Sequence, residues 1–364
     1  MTAGTKNFVV VHVGLGKTAT TTLQRQVFPL LQTAGIVRSY NDERFLAAAI
    51  RHHLVGLSQV ELDYFAQVLR NAGTVFVSNE GLSNWDPARW EASCDRNLEL
   101  FGREATIVLT LREPASYLAS VYAQHVQEGN VKAPHEFFLR AEDYALIENV
   151  LPRFYEAVFA IDRFDLAALE QLYASRFARV VVVTMEQLKD LEFLRELYGL
   201  EEHQMIRLRG AFAAAGRENV SYSKTAMRMT FMRERFLFAL GMKSIGTTDF
   251  DVKRILRFSS AKSRAGADTA PPRESNATQR RSYSTVLDFF LCRLKWTWLM
   301  QRVVDQIVPY VRYTLPPGII PQDVIDRNAA YYERCRNRSL VSGIKTSVDS
   351  AFDPLAERAV GNVP

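Results

Sequence analysis

The chain has 364 residues, of which 48% are hydrophobic, and its formal net charge is +5. This length suffices for one large α/β domain with an elaboration, or for two domains. Three scattered cysteines, Cys94, Cys292 and Cys335, exclude a disulfide scaffold and lack the paired spacing of a metal site, which fits a reducing compartment. No stretch reaches the roughly 18 apolar residues of a membrane span, and we expect no signal peptide before the first strand. We therefore expect a cytoplasmic protein that binds no nucleic acid, since recognition motifs for it are missing.

The first predicted strand, residues 8–13, leads directly into a turn suited to phosphate. Its sequence is FVVVHV, which is typical of a buried parallel strand, and helical spacing of apolar residues follows over 20–33. Helix-start N–H groups and the helix dipole favour an anion, while a lysine and several hydroxyls add charge and donors. The sequence thus predicts a phosphorylated ligand bound by the loop residues Gly16, Lys17, Thr18, Ala19, Thr20, Thr21 and Thr22.

This loop is shorter than the loop of ATPases and GTPases. Their pattern places a glycine six residues before the P-loop lysine. Here that position is Val11, and Gly14 lies only three residues before Lys17. A short loop suits a terminal phosphate or a mixed anhydride better than a triphosphate.

A second candidate anion site follows the predicted strand 105–111. That strand ends at Arg112, and Ser120 lies eight positions later on a predicted helix. A guanidinium can bind a phosphate through two parallel hydrogen bonds, and a hydroxyl on the next helix can close the site.

The two motifs together resemble sulfotransferases that use 3′-phosphoadenosine 5′-phosphosulfate (PAPS), in their bacterial, carbohydrate-type branch. The run Lys17-Thr18-Ala19-Thr20-Thr21 is similar to the family's phosphosulfate loop, and the Arg112–Ser120 spacing is similar to its 3′-phosphate motif. The resemblance implies a P-loop-like sulfotransferase fold and PAPS as sulfuryl donor, with no metal. Ala19 departs from the family, which usually has glycine there. The departure is mild if residue 19 is helical and serious if the loop needs a positive φ.

The resemblance also implies a general base. Residues 78–83, after the predicted strand 73–78, are similar to a stretch in which several family members carry a catalytic glutamate, so we expect Glu80 to take the acceptor proton. A solvated turn residue is the alternative. His12, within the first strand, is the competing base, although a hydrogen-bonded core histidine is the commoner situation. His125, on the helix that carries Ser120, could line the acceptor cleft.

The remaining pattern predicts alternating strands and helices to about residue 200, which indicates a parallel sheet with helices on both faces. The fourth strand is 179–184, and the other predicted helices are 43–52, 58–71, 87–100, 115–128, 133–140, 165–174, 187–198 and 224–240. We expect a core at 1–240, a basic polar linker or lid at 241–284, and a helical extension at 285–364.

By resemblance, Arg217 could approach the 3′-phosphate of the donor. The equally good alternative is that this stretch only caps the start of the predicted helix 224–240.

The segment 285–313 is rich in aromatic residues and basic residues. We expect a core-packing helix, and the alternative is an interfacial helix that places Trp296 and Trp298 at an anionic membrane surface.

The expected function is sulfuryl transfer from PAPS to an acceptor hydroxyl, a carbohydrate or glycolipid by resemblance. Two alternatives stay open: an ATP- or GTP-dependent kinase with a degenerate P-loop, and a non-catalytic nucleotide-binding member of the fold. A kinase would need a Mg²⁺-binding carboxylate at a strand end, where the chain offers Glu80, Glu113 and Glu186. Nothing in the pattern predicts the oligomeric state.

Overall fold

The computed structural model describes residues 8–128, 131–148, 158–215, 222–239, 296–304 and 307–338. Arg217 and the expected linker 241–284 lie outside these ranges. So do the side chains of Trp298, Lys295 and Arg302, which belong to the aromatic and basic segment 285–313. No helix among the described residues is long and apolar enough to cross a membrane.

A five-stranded parallel sheet forms the centre of the α/β fold. Its strands lie in the order β2-β3-β1-β4-β7, so β1 occupies the middle. Their bounds are β1 Val9–His12, β2 Ser39–Tyr40, β3 Val75–Ser78, β4 Thr106–Leu111 and β7 Arg179–Thr184. Two short parallel strands, β5 Phe138–Leu139 and β6 Phe159–Ala160, form a separate pair.

Helices cover both faces of the sheet. A π-helical turn, Leu23–Val27, joins α1 to α2, and short 3₁₀ turns cover Glu80–Leu82, Pro87–Arg89, Ile161–Arg163 and Gln187–Lys189. The α-helices are α1 Thr20–Thr22, α2 Phe28–Thr33, α3 Glu43–Val55, α4 Gln59–Arg70, α5 Trp90–Phe101, α6 Pro114–Gln127, α7 Pro134–Phe137, α8 Ala141–Glu148, α9 Leu166–Arg176, α10 Glu192–Tyr198, α11 Glu202–Ala214, α12 Lys224–Ala239, α13 Trp296–Leu299 and α14 Gln322–Asn337.

Alternating strand residues separate two hydrophobic cores, because successive side chains of a strand point to opposite faces. Val11 of β1 packs with α3 to α6, α9 and α14 in the larger core. Val10 packs with the helices from α1 to α2 and with α10 and α11 in the other core. Both faces of β1 are therefore buried, which explains its continuous valine run.

The four long predicted strands and most predicted helices are confirmed. The predicted helix 133–140 is wrong in its second half, because Phe138 and Leu139 leave α7 and pair with β6. The predicted helix 187–198 is interrupted where Leu191 adopts a φ of 52°. Sequence patterning missed the two-residue edge strand β2 and the helix α11.

The C-terminal helix α14 packs on the larger core. The Asn328 side chain accepts a hydrogen bond from the Leu166 amide at 2.8 Å and donates to the Phe164 carbonyl at 2.9 Å. Tyr331 and Tyr332 of the same helix are buried in this core. Asn328 thus joins α14 to the N-terminus of α9.

The Trp296 indole in α13 is engaged inside the protein. Its Nε1 donates to the Thr230 hydroxyl at 2.9 Å, and the Arg233 guanidinium lies 5.1 Å from its ring centroid. The Trp296 indole therefore has partners within the protein, on α12. Contact of the segment 285–313 with a membrane stays a prediction.

Candidate functional site

The candidate site lies at the carboxyl edge of the sheet, where β1, β3 and β4 end together. His12 is in register with Ser78 of β3 and with Val108 of β4. The chain runs from β1 to the edge strand β2 and back to β3 on one side, and then crosses to β4 on the other side of β1. Ligands of open α/β sheets bind at such a reversal of strand order. The sheet therefore brings the loop after β1 next to Arg112, which follows β4.

The loop between β1 and α1 is held in an unusual backbone conformation. Lys17 has a φ of 67° and Ala19 a φ of 59°. For a residue with a Cβ, this left-handed region costs roughly 1–2 kcal/mol. Residue 19, where the resembled family usually has glycine, therefore has a positive φ, so the departure at Ala19 is of the serious kind. Strain of this kind concentrates at binding and catalytic sites.

The helix that begins at Thr20 has no side-chain cap. Its N-cap residue is Ala19, which offers no acceptor to the first-turn N–H groups. By contrast, Asp42 caps α3, Ser58 caps α4 and Glu113 caps α6. Uncapped N–H groups at a helix start provide a binding site for an anion.

Two carbonyl groups of the loop are already hydrogen-bonded. The Thr18 hydroxyl donates to the Leu15 carbonyl at 2.6 Å, and Arg112 Nη1 donates to the Lys17 carbonyl at 3.0 Å. A carbonyl oxygen that faces a bound anion would repel it. These two oxygens instead accept hydrogen bonds from donors of the protein. Thr18 is buried, and its hydroxyl is hydrogen-bonded within the protein to the Leu15 carbonyl and to Thr110.

The two glycines of the loop have different environments. A Cβ on Gly14 would lie 1.9 Å from Thr110 Oγ1 and 2.7 Å from His12 Nε2, so only glycine fits. A Cβ on Gly16 would have no atom within 4 Å. Protein packing therefore requires the first glycine, while the second leaves open space beside the loop, as the close approach of a phosphate requires.

Lys17, Thr20 and Glu80 form a cluster at this edge. The Thr20 hydroxyl donates to Glu80 Oε2 at 2.6 Å. Burial lowers the pKa of Lys17, and the negative charges of Glu80 and Glu128 oppose that shift. The structure thus places a lysine and a carboxylate together beside the open helix start. Thr21 and Thr22 lie in the same first turn and are half-buried.

Arg112 lies beside a second arginine that the sequence motifs did not reveal. Arg112 Nε donates to the Ser116 hydroxyl at 2.8 Å, and Arg312 Nη2 donates to the same oxygen. Burial and the charge of Arg312 both lower the pKa of Arg112. Among the described residues, no carboxylate is hydrogen-bonded to either guanidinium. Two cations sharing one neutral hydroxyl favour an anion, which could neutralise both.

The backbone explains how Arg312 reaches this place. A β-bridge pairs Arg312 with Ser223, and the Lys224 amide donates to the Val311 carbonyl at 2.7 Å. These bonds fix the segment before α14 against the start of α12. No local pattern marks Arg312, since it lies 196 residues from Ser116 along the chain.

The other predicted site residues have mixed outcomes. Ser120 is buried one turn beyond Ser116, and Ser116 is the serine that contacts Arg112. His12 is fully buried, and burial lowers its pKa to about 3. His125 is also buried against Trp85, with ring centroids 4.3 Å apart, and its pKa is lowered to about 3 by burial and then by Lys132 and Lys17. Both histidines are therefore buried in their neutral form, whereas Glu80 is only partly buried.

The carboxylates that a kinase could use for Mg²⁺ are largely committed elsewhere. Glu113 accepts hydrogen bonds from the Ala115 and Ser116 amides, and Glu186 accepts one from the Tyr332 phenol. Within the described part of the chain, no group of three or more histidine, cysteine, aspartate or glutamate residues could hold a metal ion.

Comparison with known proteins found no relationship for this chain. No model of a known protein family matches it, and neither the curated proteins nor the solved structures contain a significant match.

Proposed function

We propose that the protein is a PAPS-dependent sulfotransferase with a P-loop-like sulfotransferase fold. The observation that carries the proposal is the presence of two anion-binding features at one sheet edge. One is the uncapped helix start with Lys17, and the other is the pair Arg112 and Arg312 on Ser116. A donor with phosphate groups at its 5′ and 3′ positions matches two such features.

The cluster of Lys17 and Glu80 supports direct in-line transfer. The acceptor oxygen forms a new bond to sulfur while its proton passes to Glu80, and the bond from sulfur to the bridging oxygen breaks. The departing group is adenosine 3′,5′-bisphosphate. Lys17 and the amides at the helix start stabilise the negative charge that builds on the bridging oxygen.

The donor's 3′-phosphate would bind at the arginine pair. Arg112 and Arg312 supply charge-assisted donors, and the Ser116 hydroxyl retains its own hydrogen after accepting from both guanidiniums. The acceptor is a hydroxyl compound, and a carbohydrate or glycolipid is proposed from the sequence resemblance alone.

The kinase alternative is disfavoured by the carboxylates. Glu113 caps α6 and Glu186 accepts from Tyr332, which leaves Glu80 among the three candidates, and its carboxylate already accepts the Thr20 hydroxyl. A non-catalytic member of the fold would share the anion-binding features and fail to transfer.

The test is a metal-free transfer assay with sulfur-labelled PAPS and a panel of hydroxyl acceptors. We expect Lys17→Ala to lower the rate about 10²- to 10³-fold, the usual loss when a group that stabilises transition-state charge is removed. Glu80→Gln should lower the rate by about 10²-fold or more without weakening donor binding. The exposed Lys189, changed to alanine, is the matched control. Phosphoryl transfer from Mg²⁺-ATP instead of sulfuryl transfer would overturn the proposal.

A further inference from the structure

A continuous chain of hydrogen bonds crosses the sheet directly beneath the loop. His12 Nδ1 lies 2.7 Å from Ser78 Oγ on β3, and His12 Nε2 lies 3.2 Å from Thr110 Oγ1 on β4. Thr110 Oγ1 is in turn 2.6 Å from Thr18 Oγ1. At the other end, Gln24 Nε2 donates to Ser78 Oγ at 3.1 Å. One buried imidazole therefore joins β1, β3 and β4 to the loop.

The direction of every hydrogen bond follows from one fixed point. The Leu15 carbonyl can only accept, so Thr18 uses its hydrogen there. Thr110 must then donate to Thr18, and His12 must donate to Thr110 through Nε2–H. A neutral imidazole leaves Nδ1 as an acceptor, and the Ser78 hydroxyl, which accepts from Gln24, supplies its hydrogen. All donors and acceptors in this chain are matched only when His12 is the neutral Nε2–H tautomer.

We propose that His12 is a positioning residue that holds the anion-binding loop in its open conformation through Thr110 and Thr18. Through this chain, His12 keeps the Thr18 hydroxyl on the Leu15 carbonyl, so that this carbonyl oxygen is occupied by a donor of the protein. Gly14 packs against both His12 and Thr110, so the loop lies directly on the chain. The identity of the bound anion rests on the proposed function, while the tautomer and the loop geometry do not.

The first test is nitrogen-15 NMR of the histidine rings in the full chain. We expect His12 to show the Nε2–H tautomer, with shifts that do not change between pH 5 and pH 9. A protonated ring or the Nδ1–H tautomer at neutral pH would overturn the proposal, whatever the protein binds.

The second test measures the dissociation constants of adenosine 3′,5′-bisphosphate and of inorganic pyrophosphate. Thr110→Val removes the central hydroxyl with little change in shape, and we expect it to weaken both ligands about tenfold or more. Thr110→Ser keeps the hydroxyl and should bind within about threefold of wild type. Binding by Thr110→Val that equals wild type would contradict the positioning role.

A control histidine separates positioning from folding. His53 is also buried, and its Nε2 pairs with Asn97 Oδ1 at 2.9 Å, away from the loop. We expect His12→Phe and His53→Phe both to lower stability, and only His12→Phe to weaken the ligands. Equal weakening by both variants would overturn the proposal. If wild type binds pyrophosphate but not the bisphosphate, the proposed function fails, and the comparison of variants with pyrophosphate still decides the role of His12.

Discussion

The helices that follow β1 and β4 begin side by side and are built differently. After β4, Pro114 occupies the first turn of α6, and the Glu113 carboxylate accepts from two backbone amides. After β1, the loop reaches α1 through Ala19, whose positive φ gains no compensating cap. The protein thus satisfies one helix start with its own carboxylate and leaves the other open.

This difference shows where a ligand is expected. A capped helix start has its N–H groups and dipole already compensated, so Glu113 makes the start of α6 a structural feature. The start of α1 has the same partial positive charge with Lys17 beside it, and no side chain caps its backbone amides. The arginine pair, to which no carboxylate of the described residues is hydrogen-bonded, adds a second positively charged site at the same sheet edge.

The difference between the two helix starts can be removed by placing a carboxylate at the N-cap of α1. Ala19→Asp should cap the helix start and weaken the binding of adenosine 3′,5′-bisphosphate about 100-fold, because like charges repel strongly in a partly buried site. Ala19→Gly is the matched control. Glycine accepts a positive φ without strain, so this variant should bind as wild type does. Titration calorimetry measures both, and unchanged affinity in Ala19→Asp would count against an anion at α1.

The buried His12 at the end of β1 predicts that the free energy of unfolding depends on pH. Its pKa is lowered from 6.5 to about 3 in the folded protein, so the unfolded chain binds more protons below pH 6.5. The stabilisation is therefore complete above pH 6.5 and is lost as the pH falls toward 3. At pH 5 the loss from His12 is about 2 kcal/mol. Urea unfolding at several pH values should show a flatter pH dependence of the free energy of unfolding for His12→Phe than for wild type. An equal slope in the two proteins would contradict this prediction.

Loss of the cap of α6, the helix that follows β4, should lower the stability of the protein and leave ligand binding unchanged. Glu113→Ala should lower the free energy of unfolding by about 1 kcal/mol, the usual cost of a lost cap. Asp165, which caps α9 away from the site, is the matched control and should lose a similar amount on change to alanine. Both variants should bind the bisphosphate within about threefold of wild type. A tenfold loss confined to Glu113→Ala would mean that its carboxylate belongs to the ligand site.

Sequence reasoning predicted the fold's centre because buried parallel strands have continuous apolar runs. The runs 8–13 and 105–111 are visible without a structure, and both strands formed. The strand β2 has only two residues, Ser39 and Tyr40, too few for a period to be recognised. Phe138 and Leu139 continue an apolar stretch that suits a helix or a strand, and pairing with β6 decided between them.

The candidate site was predictable only where its residues are close in sequence. The loop from Gly16 to Thr22 and the strand end at Arg112 have local signatures. Arg312 has none, since its position depends on the β-bridge to Ser223. The spacing in the resembled family predicts Ser120, whereas the serine that contacts Arg112 is Ser116, in the first turn of α6. The inward orientation of Thr18 depends on Thr110, a contact between strands that a single loop motif does not encode.

The most direct test of the central claim is calorimetric titration of wild type and Arg112→Ala with adenosine 3′,5′-bisphosphate, ATP and GTP in the absence of metal. The account predicts that wild type binds the bisphosphate more tightly than ATP or GTP, and that Arg112→Ala weakens this binding at least tenfold by removing a charge-assisted phosphate contact. The claim would be contradicted if wild-type protein did not bind the bisphosphate and bound ATP or GTP only in the presence of Mg²⁺.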